Sequence, residues 1–413
     1  MVAAGRPDAY LAALVDRAQD ILGENLVGAY AAGSLALDAY QPGRSDIDVA
    51  LVTAEPLTDP EKRGLVAALR HEALRVPARG LELVAYTRAA AGSGTTEPAF
   101  EVELNTGPGM PFRATYRPED RPLADGLFWY ALDRSILSDS DRSLSGPPAS
   151  AVFADVAPAA LRDLLVDALT WWLRQQGDLV DAVLGACRSL VRFRDGEWLP
   201  KVAAGQRLPD TGFQPAAVVQ AAVAARLGTG APPSGPAARA VPRAVRAEIR
   251  GTRLRPLTAA DLPALIPLQE TGGIAGLGHI FPQEAHPFPR ERIAARWREE
   301  IVAHDTDTLA VEVNGELRGF VALRGEEVLH FGTAVESWGS GLAEEAHDLA
   351  VDRLVRRGVG TARLWVFTEN TRAVRFYERL GWQPTGETRP TTFPPHPTLV
   401  AYQLDLRPAD PSA

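Results

Sequence analysis

The stretch that decides the fold runs from Gly33 to Val52: Gly33-Ser34, eleven intervening residues, then Asp46-Ile47-Asp48 opening the apolar run Val49-Ala50-Leu51-Val52. Leu26, Val27, Ala29, Tyr30 and Ala31 predict a strand ending at Gly33-Ser34, and Asp46 to Thr53 predicts the next one. Carboxylates at i and i+2 of a strand leave from the same face, with Cα atoms about 6.6 Å apart. Two bare charges side by side at a strand start are costly unless paired. A divalent ion, or a pair of ions, held by both Asp46 and Asp48 is the natural compensation. Gly33 lets backbone N–H groups approach a phosphate, and the Ser34 hydroxyl adds a donor.

Together these residues resemble the nucleotidyltransferase signature of the DNA polymerase β superfamily. The resemblance implies a Gly33-Ser34 turn on the triphosphate of a nucleotide such as ATP, and Asp46 and Asp48 on magnesium.

The chain has 413 residues, enough for two or three domains, and 46% apolar composition, enough for real cores. A net charge of −9 argues against a nucleic-acid surface, which needs clustered positive charge. Lys62 and Lys201 are the two lysines in an arginine-rich chain. The single cysteine, Cys187, excludes an intrachain disulfide framework and reads as a core filler. Met1 to Asp8 has no cationic start with an apolar core, and no apolar run reaches about 18 residues. A soluble, cytoplasmic protein is expected.

Outward from the opening stretch, Leu11, Leu14, Val15, Ala18 and Leu22 predict a helix from Asp8 to Gly23. Thr58-Asp59-Pro60-Glu61 predicts a second, started by a capping box. Gly80 to Tyr86 predicts a strand whose one acid is Glu82. If that strand neighbours the Asp46–Asp48 strand, Glu82 becomes a third carboxylate at the ion site, able to take a proton from an attacking hydroxyl. Phe100 to Leu104 alternates cleanly, with Glu101 and Glu103 expected on the outer or cleft face, either exposed to solvent or helping to bind a cation. A loop is expected beyond Gly107-Pro108-Gly109, and a helix from Leu123 to Leu137. From Pro158 the pattern is helical, with amphipathic segments around Leu161–Leu173, Leu179–Val191 and Ala216–Leu227.

A Gly-Ser…Asp-Ile-Asp domain, a Leu81-Glu82-Leu83 strand and a helical bundle resemble the aminoglycoside adenylyltransferases of the streptomycin/spectinomycin class. Lys201-Val202-Ala203-Ala204 and Gln206-Arg207-Leu208-Pro209 are similar to that family's C-terminal helical segment. The resemblance spans roughly residues 25–228. It implies that Glu82 is the catalytic base and that the acceptor is a small cationic amino-alcohol. Where the family segment carries acids, this chain has Val202 and Gln206; where an aromatic follows the Glu103-Leu104 strand, it has Asn105-Thr106-Gly107-Pro108.

Residues 229–250, rich in Gly, Pro, Ala and Arg, predict a linker. Beyond it, Thr252–Leu257 predicts a strand, Thr258–Asp261 a helix cap, and Asn314-Gly315 a type I′ hairpin between two strands. Gly339-Ser340-Gly341 stands between a strand and a long helix, a turn expected to expose helix N-terminal N–H groups to a pyrophosphate. Ala362–Phe367 predicts a strand, followed by Asn370-Thr371-Arg372-Ala373-Val374-Arg375-Phe376-Tyr377 and Leu380-Gly381-Trp382.

This order closely resembles the GNAT acetyltransferases over residues 252–406. It implies acetyl-CoA bound by the glycine turn (Gly339, Ser340, Gly341), Asn370 on the pantetheine and Tyr377 as the general acid for the leaving thiolate. A phenol of ordinary pKa near 10 suits a thiolate near 8.5. Glu336 stands where the family turn begins with Gln or Arg. Glu327 and His330 are both candidate bases, and residues 276–289 read as a substrate loop or as a structural connection.

The expectation is a multidomain α+β/α/β chain. A nucleotidyltransferase domain with a mixed sheet and helices (1–150) precedes a helical substrate-binding bundle (151–228) and the linker (229–250). A GNAT mixed β-sheet flanked by helices (251–408) follows. The expected function is modification of an aminoglycoside-like antibiotic by transfer of AMP to a hydroxyl and of acetyl to an amine. Two alternatives remain open: one active half beside a ligand-binding or regulatory one, and a protein-modifying nucleotidyltransferase or acetyltransferase.

Overall fold

Helix α1 (Asp8–Leu22) lays Leu11, Leu14 and Ala18 against a sheet that begins with β1 (Leu26–Ala31). These coordinates come from a computed structural model that describes residues 7–175, 177, 179–208 and 216–406. Pro209 lies outside the described residues. The chain forms two compact units, Met1–Ile249 and Arg250–Ala413.

In the first unit, β1 leads through the short α2 (Gly33–Ala36) to β2 (Ile47–Thr53). The crossover α3 (Asp59–Leu69), started by the Thr58/Glu61 capping box, delivers β3 (Leu81–Thr87) parallel to β2. After α4 (Arg88–Ala91) come β4 (Phe100–Gly107) and β5 (Met110–Thr115), giving a sheet of order β1-β2-β3-β4-β5. The segment after Gly109, expected as a loop, is β5. Pro111 and the lack of alternation hid it; an edge strand tolerates both. At Gly107 a Cβ would stand 2.4 Å from the Gly80 Cα, so this hairpin end needs glycine.

Alternation divides the sheet. Val49, Leu51, Leu83 and Ala85 join α1 and α3 in one core, while Ala50, Val52 and Tyr86 pack with Tyr130 and Leu137 of α5 (Phe128–Ser138). Asp48 and Glu82 continue this second face. Helix α5 starts later than expected, because Gly126 at φ 82° interrupts the chain after a 3-10 turn at Leu123–Asp125.

The bundle comprises α6 (Pro158–Arg174), α7 (Leu179–Asp195), α8 (Lys201–Arg207), α9 (Ala216–Arg226) and α10 (Gly235–Arg250). Cys187 is buried in its core, and burial pushes the thiol up to about 12. Helix α10 corrects the expected linker. Ala238, Val241, Val245 and Ile249 recur at helical spacing and are buried in the bundle core. Small anchors and the internal Pro242 disguised that stripe.

The second unit runs β6 (Thr252–Pro256), α11 (Leu262–Leu277), α12 (Arg290–Val302), β7 (Thr306–Val313), β8 (Glu316–Arg324), β9 (Glu327–Thr333), α13 (Leu342–Arg356), β10 (Thr361–Phe367), α14 (Thr371–Arg379), β11 (Gln383–Pro390) and β12 (Thr398–Asp405). The sheet order is β11-β12-β10-β9-β8-β7-β6. Asn314 and Gly315, at φ 50° and 89°, make the β7–β8 hairpin turn. Ile293 and Trp297 cover one face of the sheet; Leu342, Ala346, Tyr377 and Trp382 cover the other. Among the described strands of this sheet only β9 and β10 run parallel, and their register holds just Glu327 with Arg363 and Val328 with Leu364. Beyond those pairs the two strands part. Among the described residues no helix is long and apolar enough to cross a membrane.

Candidate active sites

Parallel pairing sets Asp48 beside Glu82, and antiparallel pairing continues the row to Asn105 and Arg113. Directly paired residues share a face, so Asp48 and Glu82 open onto the same side of the sheet. Asp46 immediately precedes β2 and is held by Arg79, with Nε 3.0 Å from Oδ1. Gly33, at φ 52°, lies so close that a Cβ there would stand 2.0 Å from Asp48 Oδ2. The Ala32 N–H donates to the Asp48 carbonyl at 2.9 Å, fixing the turn on the strand. The Ser34 hydroxyl is buried and has no hydrogen-bond partner among the described residues.

Burial raises the pKa of Asp48, and the charges of Asp133 and Asp46 add to it; a Ser34 N–H and Lys201 oppose them. Glu82 is reached by solvent at the cleft floor, yet the surrounding walls raise its pKa, assisted by Asp48, Asp46 and Glu103. Among the described residues no three acidic, histidine or cysteine side chains form a closed metal cage. Magnesium characteristically takes one or two carboxylates and completes its shell with phosphate and water. The raised carboxylates, the unpartnered hydroxyl and the glycine approach fit that open arrangement.

The cleft above this floor has a volume of about 1200 Å³. Its lining also brings in residues that the sequence reading missed: Asp133 and Trp129 from α5, Trp171 and Trp172 from α6, Arg188 from α7 and Lys201 from α8. Lys201 Nζ is 3.2 Å from Asp181 Oδ1 and 5.8 Å from the centre of the Trp172 ring. Burial lowers the pKa of Lys201 and of Arg188, while Asp181 and Asp133 respectively oppose the shift. The one legible hint was Lys201 itself, a lysine in a chain that otherwise uses arginine. Val202 lines the cleft and Gln206 is exposed.

Of the two placements expected for Glu103, the cleft face is the one it takes, not open solvent. It is buried, with Oε1 3.0 Å from the Arg113 guanidinium and Oε2 3.5 Å from Arg121 Nε. Glu101 is half-buried, 3.1 Å from Lys62 Nζ, and accepts the Leu57 N–H. Both glutamates bind within the fold.

In the second unit, β9 runs toward the Gly339–Gly341 turn and β10 runs into Asn370; parallel direction brings both to one end of the sheet, where the strands part. Gly339 and Gly341 have φ 80° and 88°, and Gly341 is the N-cap of α13. Ser340 Oγ donates to the Ser337 carbonyl at 2.7 Å. Glu336 pairs with Arg318, Oε1 3.1 Å from the guanidinium, which offsets its charge. Asn370 Oδ1 accepts the Ala373 N–H at 3.2 Å and caps α14.

Tyr377 is buried, and burial raises its pKa above the usual phenol value. Glu327 stands at the closed end of the β9–β10 pair. His330 lies beyond the point of parting, with Nε2 2.9 Å from Glu300 Oε1, and burial lowers its pKa. Residues 278–289 are braced by Gln283, which donates to the Phe281 carbonyl and accepts the Phe288 N–H.

Residues 275–382 match the acetyltransferase (GNAT) family, within the second unit. No curated protein matches the chain at a significant level. Among solved structures, the chain is similar to a spectinomycin adenyltransferase from Enterococcus faecialis solved with ATP and spectinomycin. The identity is 17%, the TM-score 0.43, and the match covers 58% of this chain and 98% of that one. It is also similar to the ribosomal-protein-S18-alanine N-acetyltransferase from Escherichia coli, at 20% identity and TM-score 0.30, over 39% of this chain and 98% of that one. A spermidine N-acetyltransferase from Vibrio cholerae gives 20% identity and TM-score 0.31, over 38% of this chain and 95% of that one.

Proposed function

We propose that the chain is a two-headed transferase of small amino-alcohols, moving AMP from ATP to a hydroxyl in its first unit and acetyl from acetyl-CoA to an amine in its second. The observation that carries the first reading is the register pairing of Asp48 with Glu82 beside a glycine turn whose serine hydroxyl has no partner among the described residues. Asp46 and Asp48 would hold magnesium, with Gly33 and Ser34 on the triphosphate. Magnesium, when bound, supplies the positive charge that a polyphosphate leaving group needs. Glu82 takes the proton of the attacking hydroxyl as oxygen bonds to the α-phosphorus and the bond to pyrophosphate breaks. Arg188 and Lys201 add fixed positive charge in the cleft lining.

The second reading rests on the parted β9–β10 pair between the Gly339–Gly341 turn and Asn370. Acetyl-CoA, when bound, supplies the acyl group. The turn holds its pyrophosphate, the Asn370 region flanks its pantetheine, and Tyr377 returns a proton to the thiolate. His330 is preferred to Glu327 as proton acceptor, because it stands where the strands have parted. An aminoglycoside-like antibiotic, with hydroxyls and amines on one scaffold, suits both heads.

Mass spectrometry tests this: the full chain is incubated with Mg·ATP and acetyl-CoA over a panel of aminoglycosides and simpler amino-alcohols. A gain of one adenylyl and, separately, one acetyl group supports the proposal. A gain of only one kind would leave the silent unit a ligand-binding role, and a mass gain found only on protein would contradict the small-molecule acceptor.

A further inference from the structure

The acids of the first cleft are mostly spent within the fold. Asp46 faces Arg79, Glu103 faces Arg113 and Arg121, and Asp181 lies 3.2 Å from Lys201 and 2.9 Å from Arg226. Apart from Asp48 and Glu82 on the floor, one acid lining the wall stands differently. Asp133 makes no hydrogen bond or ion pair among the described residues. Solvent reaches it, yet it sits deep enough that burial pushes its carboxyl up to about 6, with Arg188 opposing and Glu82 reinforcing the shift. Arg188 acts on it only through space, and a cleft acid that no protein group hydrogen-bonds keeps its oxygens available to a donor that arrives with the ligand.

Two relationships say which partner. Trp129 lies four residues before Asp133 on α5, and residues at that spacing share a helix face. Trp129 also meets Trp171 and Trp172 edge-to-face, at 5.7 and 6.2 Å between ring centres, so the indole is fixed by its neighbours. A carboxylate beside a fixed indole attracts an organic ammonium through both charge and the ring's negative face. Asp133 also bears electrostatically on Asp48 and is itself affected by Glu82. All three line one cleft, so whatever Asp133 binds shares that cleft with the proposed reacting hydroxyl.

We infer that Asp133 and Trp129 form a seat for a single ammonium, and that the acceptor of the first unit is an amino-alcohol whose ammonium stands next to the hydroxyl that attacks. This rests on the adenylylation reading above. The remaining acids of the cleft walls already hold cations of the protein, so additional ammonium groups gain little there. One consequence joins the two heads. When an amine attacks the thioester carbonyl, a C–N bond forms, the C–S bond breaks and the amine proton ends on the thiolate. The resulting amide carries no charge, so acetylation at this amine removes the group that Asp133 recognises.

The test uses the full chain and three probes: 2-deoxystreptamine, its N,N′-diacetyl derivative, in which both amines are uncharged amides, and myo-inositol, which has hydroxyls but no amine. Calorimetry is expected to show the free amine binding at least tenfold more tightly than either uncharged probe, with Asp133→Asn abolishing that preference. Equal affinity of Asp133→Asn and wild type for 2-deoxystreptamine, no binding of it by the wild type, or equal affinity for the acetylated probe would each overturn the seat. Should Asp133→Asn not fold, the three probes on the wild type alone decide. AMP transfer from labelled ATP is followed separately. Asp133-dependent binding without transfer would reject adenylylation, not the ammonium seat.

Discussion

The backbone of Gly33 lies against the carboxylate of Asp48, leaving 2.0 Å between Oδ2 and the place a Cβ would occupy. Strand end and carboxylate thus form one unit, and glycine is required twice over, for space and for its φ of 52°. Gly33→Ala is expected to cost about 1–2 kcal/mol of stability from the left-handed backbone alone. It should also lower Mg·ATP affinity by an order of magnitude or more, as Asp48 is displaced. Thermal unfolding and calorimetry with Mg·ATP read the two effects separately. Unchanged nucleotide affinity would remove Gly33 from the site.

Glu82 and Asp48 hold their protons above the ordinary carboxylate range, first through burial and then through neighbouring negative charge. A raised folded pKa gives stability that is present at low pH and lost as pH rises through the folded value. Without magnesium, the protein is therefore expected to lose stability between pH 5 and pH 8, and Glu82→Gln should flatten that slope. Magnesium should raise the unfolding temperature more at pH 8 than at pH 6, because the ion competes with protons. Urea denaturation across this range checks both signs.

As proton acceptor, Glu82 must be ionised, so AMP transfer should rise with pH across the neutral range. Glu82→Gln should lower kcat by roughly 10²–10⁴-fold, the usual worth of a general base. The KM for ATP should change little. Steady-state pyrophosphate release measures both constants.

Helix α10 belongs to the bundle core through Val241 and Val245, both fully buried. Val245→Asp is expected to cost several kcal/mol by burying an unpaired charge. A chain ended at residue 228 should expose that core and aggregate, whereas one ended at residue 250 should stay soluble. Light scattering of the two fragments distinguishes a core helix from a tether.

Tyr377 packs edge-to-face with Phe376 and Trp382, so its ring is held whether or not the hydroxyl is present. Tyr377→Phe should keep the fold and lower acetyl transfer by roughly 10²-fold, within the range for a general acid. Because burial raises the phenol's pKa, the wild-type rate should not fall from loss of this proton at moderately alkaline pH. Unaltered acetylation by Tyr377→Phe would leave the ring a packing role only.

Local signals carried much of this architecture. The i, i+2 acids, the Thr58/Glu61 box, the Asn314-Gly315 turn and the amphipathic helices each state their conformation within a few residues. What stayed hidden depends on partners distant in sequence. Glu103 reads as an outward residue until β5 and the following loop bring Arg113 and Arg121 to it. Asp133, Arg188 and Lys201 reach the cleft from three separate helices, and no spacing rule links them. Met110–Thr115 and Gly235–Arg250 contain proline and weak patterning, and tertiary packing overrides both.

The most direct test follows both transfers on one amino-alcohol with Asp48→Asn, using ATP labelled at the α-phosphate and labelled acetyl-CoA. The account predicts that label from ATP no longer reaches the acceptor while acetyl transfer continues at the wild-type rate. Persisting AMP transfer would contradict the carboxylate row as its seat, and loss of both reactions together would contradict two independent heads.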